Sequence, residues 1–366
     1  MDGARQARSF PAQRMSRGIV EAARLLFPPG SEIHFRALCR HDPPRGFFLK
    51  SFSVSSPVRR YLGYSLAGAA VLFAGYLLYR TLSQYKWEEV VEAVTSVSLG
   101  RLLLAVAFTA ASYLCLTGFD WLALRYAGRP LAYPRAALAS FTSLSLGHNI
   151  GLAALSSGAI RYRFYSRWGL DAEEVAKVIV FCGFTVGLGL SVLGGIGLIA
   201  NPELAKRVIG ISPGVVYLIG GICLAWPAAY LLLAGLFGGR AMHIRGRRLE
   251  MPTVRLAIPQ TIIGTLNFAF VAAALHQAIS ALAEVPYLEV ATVYVSANVA
   301  TLITHAPGGL GVIESVVLYL LPQAHLIGAV LVFRFVYFLL PLLMGSILLV
   351  LSEALLSRPE ATETAS

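Results

Sequence analysis

Three arginines lie close together at the end of an apolar stretch, at Arg161, Arg163 and Arg167. The planar guanidinium group of arginine can hold two oxygens of a phosphate group at once, which the point charge of a lysine cannot do. The cluster therefore predicts a phosphate clamp. A second interpretation stays open, because basic clusters also mark the cytoplasmic ends of membrane helices and then fix only the orientation of the chain.

The stretch before these arginines begins at Ser145 and reads SLGHNIGLAALSSGAI. Its glycines and serines weaken a helix, and His148 and Asn149 bring polar groups to the weak point. Inside a bilayer, irregular backbone persists only where protein or a water-filled cavity surrounds it. We therefore predict a broken or re-entrant helix whose His148 and Asn149 contact a bound substrate. Hydrogen bonding within the broken helix is the alternative for both residues.

A second interruption, HAPGGLGVIE, begins at His305 in the other half of the chain. Proline removes a backbone donor and glycine lowers helix stability, so this segment predicts a second non-helical turn among apolar residues. Paired broken helices are typical of a transporter's binding site. We assign to substrate binding the following residues of this turn: His305, Pro307, Gly308, Gly309, Gly311 and Glu314.

Glu314 and Arg334 are ionisable residues within apolar surroundings. A charge at the centre of a bilayer costs about 2.5 to 3.5 kcal/mol, so such residues usually face the protein interior and pair. We predict a Glu314–Arg334 pair at a cavity for a lipid headgroup, and a pair with a purely structural role is the alternative. Asp120, beside Trp121 and Arg125, is predicted instead to lie at the membrane interface with its side chain reaching toward water.

The elements that must position these residues are membrane helices. Apolar residues make up 57% of the 366-residue chain and charged residues only 13%, whereas soluble domains carry about 25% charged residues. Charge-free runs such as residues 208–239 and 256–283 are long enough to cross a bilayer. The predicted fold is an all-α polytopic membrane protein with about 7–8 membrane helices plus two broken or re-entrant segments.

The sequence divides into three parts. Residues 1–55 are basic and lack a sustained apolar period, which predicts a disordered cytoplasmic segment. Residues 56–352 are predicted to form the integral membrane domain, with a first span at residues 61–79, and residues 353–366 a polar C-terminal tail. Residues 1–60 hold 11 basic and 4 acidic residues of a chain with net charge +11. This bias places the N-terminus beside the anionic cytoplasmic leaflet and argues against nucleic acid as a partner.

The same charge rule predicts the path of the first interrupted helix. If residues 136–160 crossed the membrane completely, the arginine cluster would lie outside, and so would the later basic loop at residues 238–255. If the segment returns to the side from which it entered, both basic regions are cytoplasmic. We therefore predict that it is re-entrant.

Neither a metal site nor a covalent catalytic group is predicted. The four cysteines lie far apart in the sequence, and the histidines are not part of an HExxH motif and have no second ligand at helical spacing. We expect no metal, no cofactor and no enzymatic activity.

Two motifs resemble the membrane domain of the lysylphosphatidylglycerol synthase (MprF) family. GHNIGLAALSSGAIRYRFYSRWGL is similar to the family's first signature. HAPGGLGVIES followed by VFRFVYFLLPL is similar to the second, a Pro-Gly-Gly-x-Gly-x-x-Glu turn with a later arginine. The resemblance extends over residues 56–352.

This resemblance implies a flippase of the bacterial inner membrane, and with it a part in resistance to antimicrobial peptides. We expect a stand-alone member of the family, without the aminoacyltransferase domain, that moves an anionic or aminoacylated phospholipid between leaflets. The alternative is a non-transporting accessory subunit for a separate lipid-modifying enzyme or glycosyltransferase. A homodimer is a further expected assembly.

Overall fold

The fold was described from a computed structural model, which covers residue 95 and residues 97–150, 153–204, 212–244, 247–321 and 326–356. The predicted N-terminal segment and the first span predicted at residues 61–79 lie outside these residues. In chain order the helices are α1 (Leu99–Tyr126), α2 (Tyr133–Ile150), α3 (Ala153–Arg167), α4 (Ala172–Ala200), α5 (Pro213–Phe237), α6 (Val254–Ile279), α7 (Tyr287–Thr304), α8 (Val312–Leu320), α9 (Leu326–Arg334) and α10 (Leu340–Leu356).

Three short elements interrupt this series. A 3₁₀ turn at Pro307–Gly309 precedes α8, and a π-helical turn at Phe335–Leu339 joins α9 to α10. Strands β1 (Ala241–Ile244) and β2 (Arg247–Glu250) pair antiparallel in the basic loop between α5 and α6. Because α10 ends at Leu356, the first residues of the predicted C-terminal tail are helical.

Six helical segments in the described part of the chain are long and apolar enough to cross a membrane. The predicted all-α polytopic membrane fold is therefore confirmed. The segments are residues 99–126, 172–200, 213–237, 254–279, 287–304 and 326–353.

Local sequence signals account for the starts of α4 and α5. The Asp171 carboxylate accepts a hydrogen bond from the backbone N–H of Glu174 at 2.8 Å, and the Glu174 carboxylate accepts one from the backbone N–H of Asp171 at 2.9 Å. This reciprocal pair is a capping box, which satisfies backbone donors that have no partner within the helix. Pro213 opens α5 at its first position, where its missing N–H costs nothing.

Contacts near the helix termini show which ends lie together. The Tyr126 hydroxyl, at the end of α1, donates to the carbonyl of Glu250, just before α6, at 2.8 Å. Arg129, just before α2, donates to the carbonyl of Gly169, just after α3. We call this end of the helix bundle, where α1 and α3 finish and α2, α4 and α6 begin, the basic end.

The far end of α6 marks the opposite end of the bundle. There the His276 ring lies 3.0 Å from the carbonyl oxygen of Val285 and meets the Tyr287 ring edge-on, with the ring centroids 5.8 Å apart. Tyr287 is the first residue of α7. The segment that leads to the second interruption therefore starts from the opposite end, whereas the first interrupted segment starts from the basic end.

Helices α2 and α3 form a tight hairpin. A Cβ atom placed on Gly147 of α2 would lie 2.7 Å from the Cβ of Ser157 on α3, and the Ser156 hydroxyl donates to the Gly147 carbonyl at 3.2 Å. Both arms of the hairpin reach the basic end, where Arg129 contacts Gly169. The segment therefore returns to the end of the bundle from which it started, which is the path expected of a re-entrant segment.

The crossing of α4 and α6 depends on two glycines that touch through their backbones. A Cβ atom on Gly189 would overlap the carbonyl group of Gly264, and a Cβ atom on Gly264 would lie 2.7 Å from the carbonyl oxygen of Thr185. We expect Gly189→Ala to lower the free energy of unfolding by about 1–3 kcal/mol, because the two helices must separate to admit the methyl group. Unfolding of the purified protein by sodium dodecyl sulfate in mixed micelles measures this change.

Gly187→Ala, two residues away on the same helix, is the matched control for this prediction. Gly187 is exposed, no atom lies within 4 Å of the place that an alanine methyl group would take, and alanine is the better helix former by about 1 kcal/mol. The stability of this variant should therefore stay equal or rise. Equal losses in the two variants would show that the close approach of α4 and α6 does not matter for stability.

Candidate functional site

The two interruptions meet inside the bundle. A Cβ atom on Gly308, in the 3₁₀ turn, would lie 3.7 Å from the side-chain oxygen of Asn149 and 3.9 Å from its Cα, at the end of α2. The Asn149 amide donates to the carbonyl of Ser145 at 2.8 Å and, at 3.4 Å, to that of Phe338 in the π-helical turn. Asn149 is thus buried where the end of α2 meets the 3₁₀ turn and the π-helical turn, and we call this place the tip junction.

Arg334 holds the second turn in place. Its guanidinium donates to the carbonyls of Gly308 at 2.9 Å and Gly309 at 2.8 Å, and it forms a two-pronged ion pair with the Glu314 carboxylate. The predicted Glu314–Arg334 pair is therefore present. Because Arg334 is 3% exposed, its donors replace the water that these two carbonyls would otherwise need at membrane depth.

The turn adopts backbone angles that its residue types permit. Gly308, Gly309 and Gly311 have φ values of 59°, 60° and 77°, which glycine adopts without steric cost. His305 ends α7 with φ 53°, a conformation in which histidine is enriched among non-glycine residues. Its side chain is exposed, and its Nδ1 lies 3.0 Å from the Ile303 carbonyl oxygen.

A second buried ion pair joins the first hairpin to α1. The Arg161 guanidinium donates to both oxygens of Asp120, at 2.8 and 2.9 Å, and to the Ser157 hydroxyl at 3.0 Å. The Tyr165 hydroxyl donates to the same carboxylate at 2.7 Å, and Asp120 has no exposed surface. The interfacial position predicted for Asp120 is therefore wrong. Its partner is 41 residues away in sequence, and the fold buries both groups.

The arginine cluster divides into two sets of contacts. Arg161 is turned inward to Asp120, whereas Arg163 and Arg167 each donate to one oxygen of Glu353, both at 2.7 Å. Glu353 lies near the end of α10, so the C-terminal end of this helix reaches the basic end. The structure thereby places α10 relative to the hairpin, which the sequence left undetermined. Glu353 was not among the predicted site residues, because residues 353–366 were predicted to form a polar C-terminal tail.

The predicted site residues thus fall into separate groups. One group lies at the tip junction or holds the turn there, and it consists of Asn149, Gly308, Gly309, Glu314 and Arg334. Arg161, Arg163 and Arg167 lie along α3, with the last of them at its basic end. His148 is half-buried one residue before Asn149, Pro307 opens the 3₁₀ turn, and His305 and Gly311 flank it.

Most of the aromatic residues around the arginine cluster lie in the core and not at the surface. Phe164 and Tyr165 are completely buried, and only Tyr162 is exposed. The two buried rings pack against Trp168, at centroid separations of 5.8 and 6.1 Å. Both buried rings belong to the hydrophobic core of the bundle.

The described residues contain no group of three or more His, Cys, Asp or Glu side chains placed to hold a metal ion. The two buried ion pairs and the contacts of Arg163 and Arg167 with Glu353 instead bring arginine and carboxylate groups together. Such groups bind through charge-assisted hydrogen bonds, a chemistry that suits recognition of charged headgroups and of helix ends.

Comparison of the sequence with known proteins identifies a matching family and two relatives. Residues 65–345 match the model of the Lysylphosphatidylglycerol synthase TM region. The chain is 30% identical over 285 residues to the Uncharacterized protein slr0712 of Synechocystis, covering 76% of this chain and 88% of that protein. It is also 30% identical over 284 residues to the Inner membrane protein YbhN of Escherichia coli, covering 73% of this chain and 85% of that protein.

Proposed function

Because this multi-pass membrane protein belongs to the Lysylphosphatidylglycerol synthase TM region family, we propose that it moves a phospholipid or a modified lipid between the leaflets of the inner membrane. In this proposal the lipid is anionic or aminoacylated, and the protein acts as a translocator rather than as an enzyme. The E. coli relative is named an inner membrane protein, which supports the location.

The tip junction is the observation that carries this proposal. Two interrupted helical segments start from opposite ends of the bundle, and the end of one contacts the turn of the other at Asn149 and Gly308. In secondary transporters, broken helices of opposite orientation meet near the bilayer midplane and form the substrate site. A headgroup could then reach the tip junction from one leaflet along the α2–α3 hairpin and from the other leaflet along the second interrupted segment.

The chemistry at the tip junction also favours a polar ligand. Asn149 offers an amide, and the turn offers backbone groups whose conformation is held by Arg334 and Glu314. The Arg334 side chain is held by four hydrogen bonds. We therefore expect it to keep one conformation while a headgroup passes. The headgroup would then pass between this fixed turn and the end of α2.

The basic end supports an orientation. Arg125, Arg129 and Arg167 lie there, and an excess of arginine and lysine marks cytoplasmic ends of membrane helices. In the proposed arrangement the α2–α3 hairpin opens from the cytoplasm and α10 ends on the cytoplasmic side. The second interrupted segment, which consists of α7, the 3₁₀ turn and α8, opens from the opposite side. The N-terminus is proposed to be cytoplasmic as well.

Reconstitution tests the proposal. Purified protein in liposomes should make a fluorescently headgroup-labelled phosphatidylglycerol in the inner leaflet accessible to an external quencher faster than protein-free liposomes do. Asn149→Leu removes the polar group at the tip junction and should reduce this rate about tenfold or more, the effect of losing one or two hydrogen bonds to a bound polar group.

The matched control is Leu155→Ala, because Leu155 lies on the outer surface of α3, with 71% of its surface exposed. This variant should transport at the rate of the unmodified protein. If the purified protein accelerates no lipid, whether phosphatidylglycerol, phosphatidylethanolamine or lysylphosphatidylglycerol, the translocator proposal is wrong and an accessory role for a separate lipid-modifying enzyme is favoured.

A further inference from the structure

Arg163 and Arg167 converge on a single carboxylate. Each donates to a different oxygen of Glu353 at 2.7 Å, and the Glu353 side chain is only 5% exposed. Two guanidinium groups carry twice the charge of one carboxylate, so the three residues together retain a positive charge. We call them the Glu353 cluster.

The Glu353 cluster is also incompletely hydrogen-bonded. Nη2 of Arg163 is buried and has no hydrogen-bond acceptor among the described residues. A buried donor without an acceptor destabilises a structure, because the donor has lost its water and gained nothing in return. Both Glu353 oxygens already accept from an arginine. The phosphodiester of a lipid has two charged oxygens, as a carboxylate does, and two further ester oxygens that are weaker acceptors, and it suits arginine donors equally well.

The position of the Glu353 cluster fits the phosphate layer of a membrane. Arg167 ends α3 at the basic end, and its side chain is 32% exposed, so the cluster is reached from the surface there. Trp168 follows directly and packs on Phe164. Tryptophan near a helix end is typical of the headgroup level of a bilayer.

We propose that Arg163 and Arg167 form a binding site for a phosphate group and that Glu353 occupies this site when no phosphate is bound. The proposal rests on the proposed function for the source of the ligand, since a translocator receives lipid phosphates at this level. When a phosphate binds, Glu353 leaves the arginines and releases the end of α10 from α3. Glu353 lies three residues before the end of α10, where helices readily fray.

Equilibrium binding to the detergent-solubilised full chain tests this inference without requiring transport. Titration calorimetry with dioctanoyl phosphatidylglycerol should show that Glu353→Gln binds about tenfold more tightly than the unmodified protein, because a charged competitor has been removed. Dioctanoylglycerol, which lacks the phosphate, should show no such gain. Adding Arg163→Gln to Glu353→Gln should abolish the gain.

Two further comparisons complete the test. Glu284→Gln removes an exposed carboxylate at the opposite end of the bundle and should leave lipid binding unchanged. If Glu353→Gln does not fold, Glu353→Asp replaces it, and its shortened side chain should give a smaller gain of the same sign.

The inference is overturned if Glu353→Gln binds phosphatidylglycerol no more tightly than the unmodified protein. It is also overturned if the substitution raises the affinity for dioctanoylglycerol by the same factor. A parallel titration with inorganic phosphate separates the sources. If Glu353→Gln raises the affinity for the lipid more than that for inorganic phosphate, the site binds a lipid headgroup. If the substitution raises only the affinity for inorganic phosphate, the site binds free phosphate, and the proposal of a lipid ligand is wrong. A protein that shows the lipid gain but no translocation would leave this site standing and contradict only the proposed function.

Discussion

Replacing Arg334 with leucine should destabilise the protein by about 3–5 kcal/mol, because the Glu314 carboxylate would remain buried without its partner. The carbonyls of Gly308 and Gly309 would lose their donors at the same time. Unfolding by sodium dodecyl sulfate in mixed micelles measures the loss of stability, and the reconstituted liposome assay measures transport. The turn would no longer be held against Asn149, so under the proposed function we expect no transport even at a temperature where the variant stays folded.

A double-mutant cycle separates the ion pair from the carbonyl contacts. Glu314→Gln keeps an acceptor for Arg334 and should cost less than Arg334→Leu. Glu314→Gln combined with Arg334→Leu should recover part of the lost stability, because no buried charge remains, but the two carbonyls still lack donors. If the double variant is as unstable as the sum of the single ones, the ion pair does not couple these residues.

Replacing Arg161 with lysine should also destabilise the protein, by about 2–4 kcal/mol, since lysine cannot reproduce the paired contacts with Asp120 and leaves a buried carboxylate poorly satisfied. Asp120 also accepts from Tyr165, so its carboxylate organises both the end of α1 and the returning arm of the hairpin. The orientation of the chain should not change, because lysine and arginine count equally in the positive-inside rule. Accessibility of single cysteines to membrane-impermeant reagents measures orientation, and the mixed-micelle assay measures stability.

Asp120→Asn is the companion variant that separates two roles for Arg161. If Arg161 is structural, removing the Asp120 charge leaves a buried guanidinium uncompensated, and stability should fall by a similar amount. If Arg161 bound a lipid phosphate, the same change would free it, raise lipid affinity and leave stability unaltered. A rise in affinity without loss of stability would therefore contradict the structural role. Arg135→Lys, at an exposed position near the start of α2, is the control and should alter neither quantity.

The positions of both interruptions could be predicted from sequence because the signal is local. Proline and clustered glycines lower helix stability wherever they stand, and the three glycines of the second turn do adopt positive φ angles. The pairing of Glu314 with Arg334 followed from the cost of an isolated charge in a bilayer, which leaves few other partners nearby. The return of the first hairpin followed from the distribution of charge on the loops.

Asp120 and Glu353 show where sequence reasoning failed. Each lies near an end of an apolar run, where a carboxylate could equally face water, and nothing in the neighbouring residues indicates burial. Their arginine partners stand 41 and 186–190 residues away. One signal can be recognised in retrospect. The arginines on α3 outnumber the acidic residues near them in sequence, which indicates that their carboxylate partners lie elsewhere in the chain.

The sequence by itself determined that the chain spans a membrane, that two of its helices are interrupted, and that the first interruption returns to its own side. These properties depend on hydropathy, on helix-breaking residues and on charge placement, all of which act over short distances in the chain. Only the tertiary structure decided that the two interruptions touch at Asn149 and Gly308, that Arg161 is held by Asp120, and that Glu353 binds Arg163 and Arg167. Such contacts join residues far apart in sequence, and the packing of whole helices selects each partner from several chemically equivalent ones.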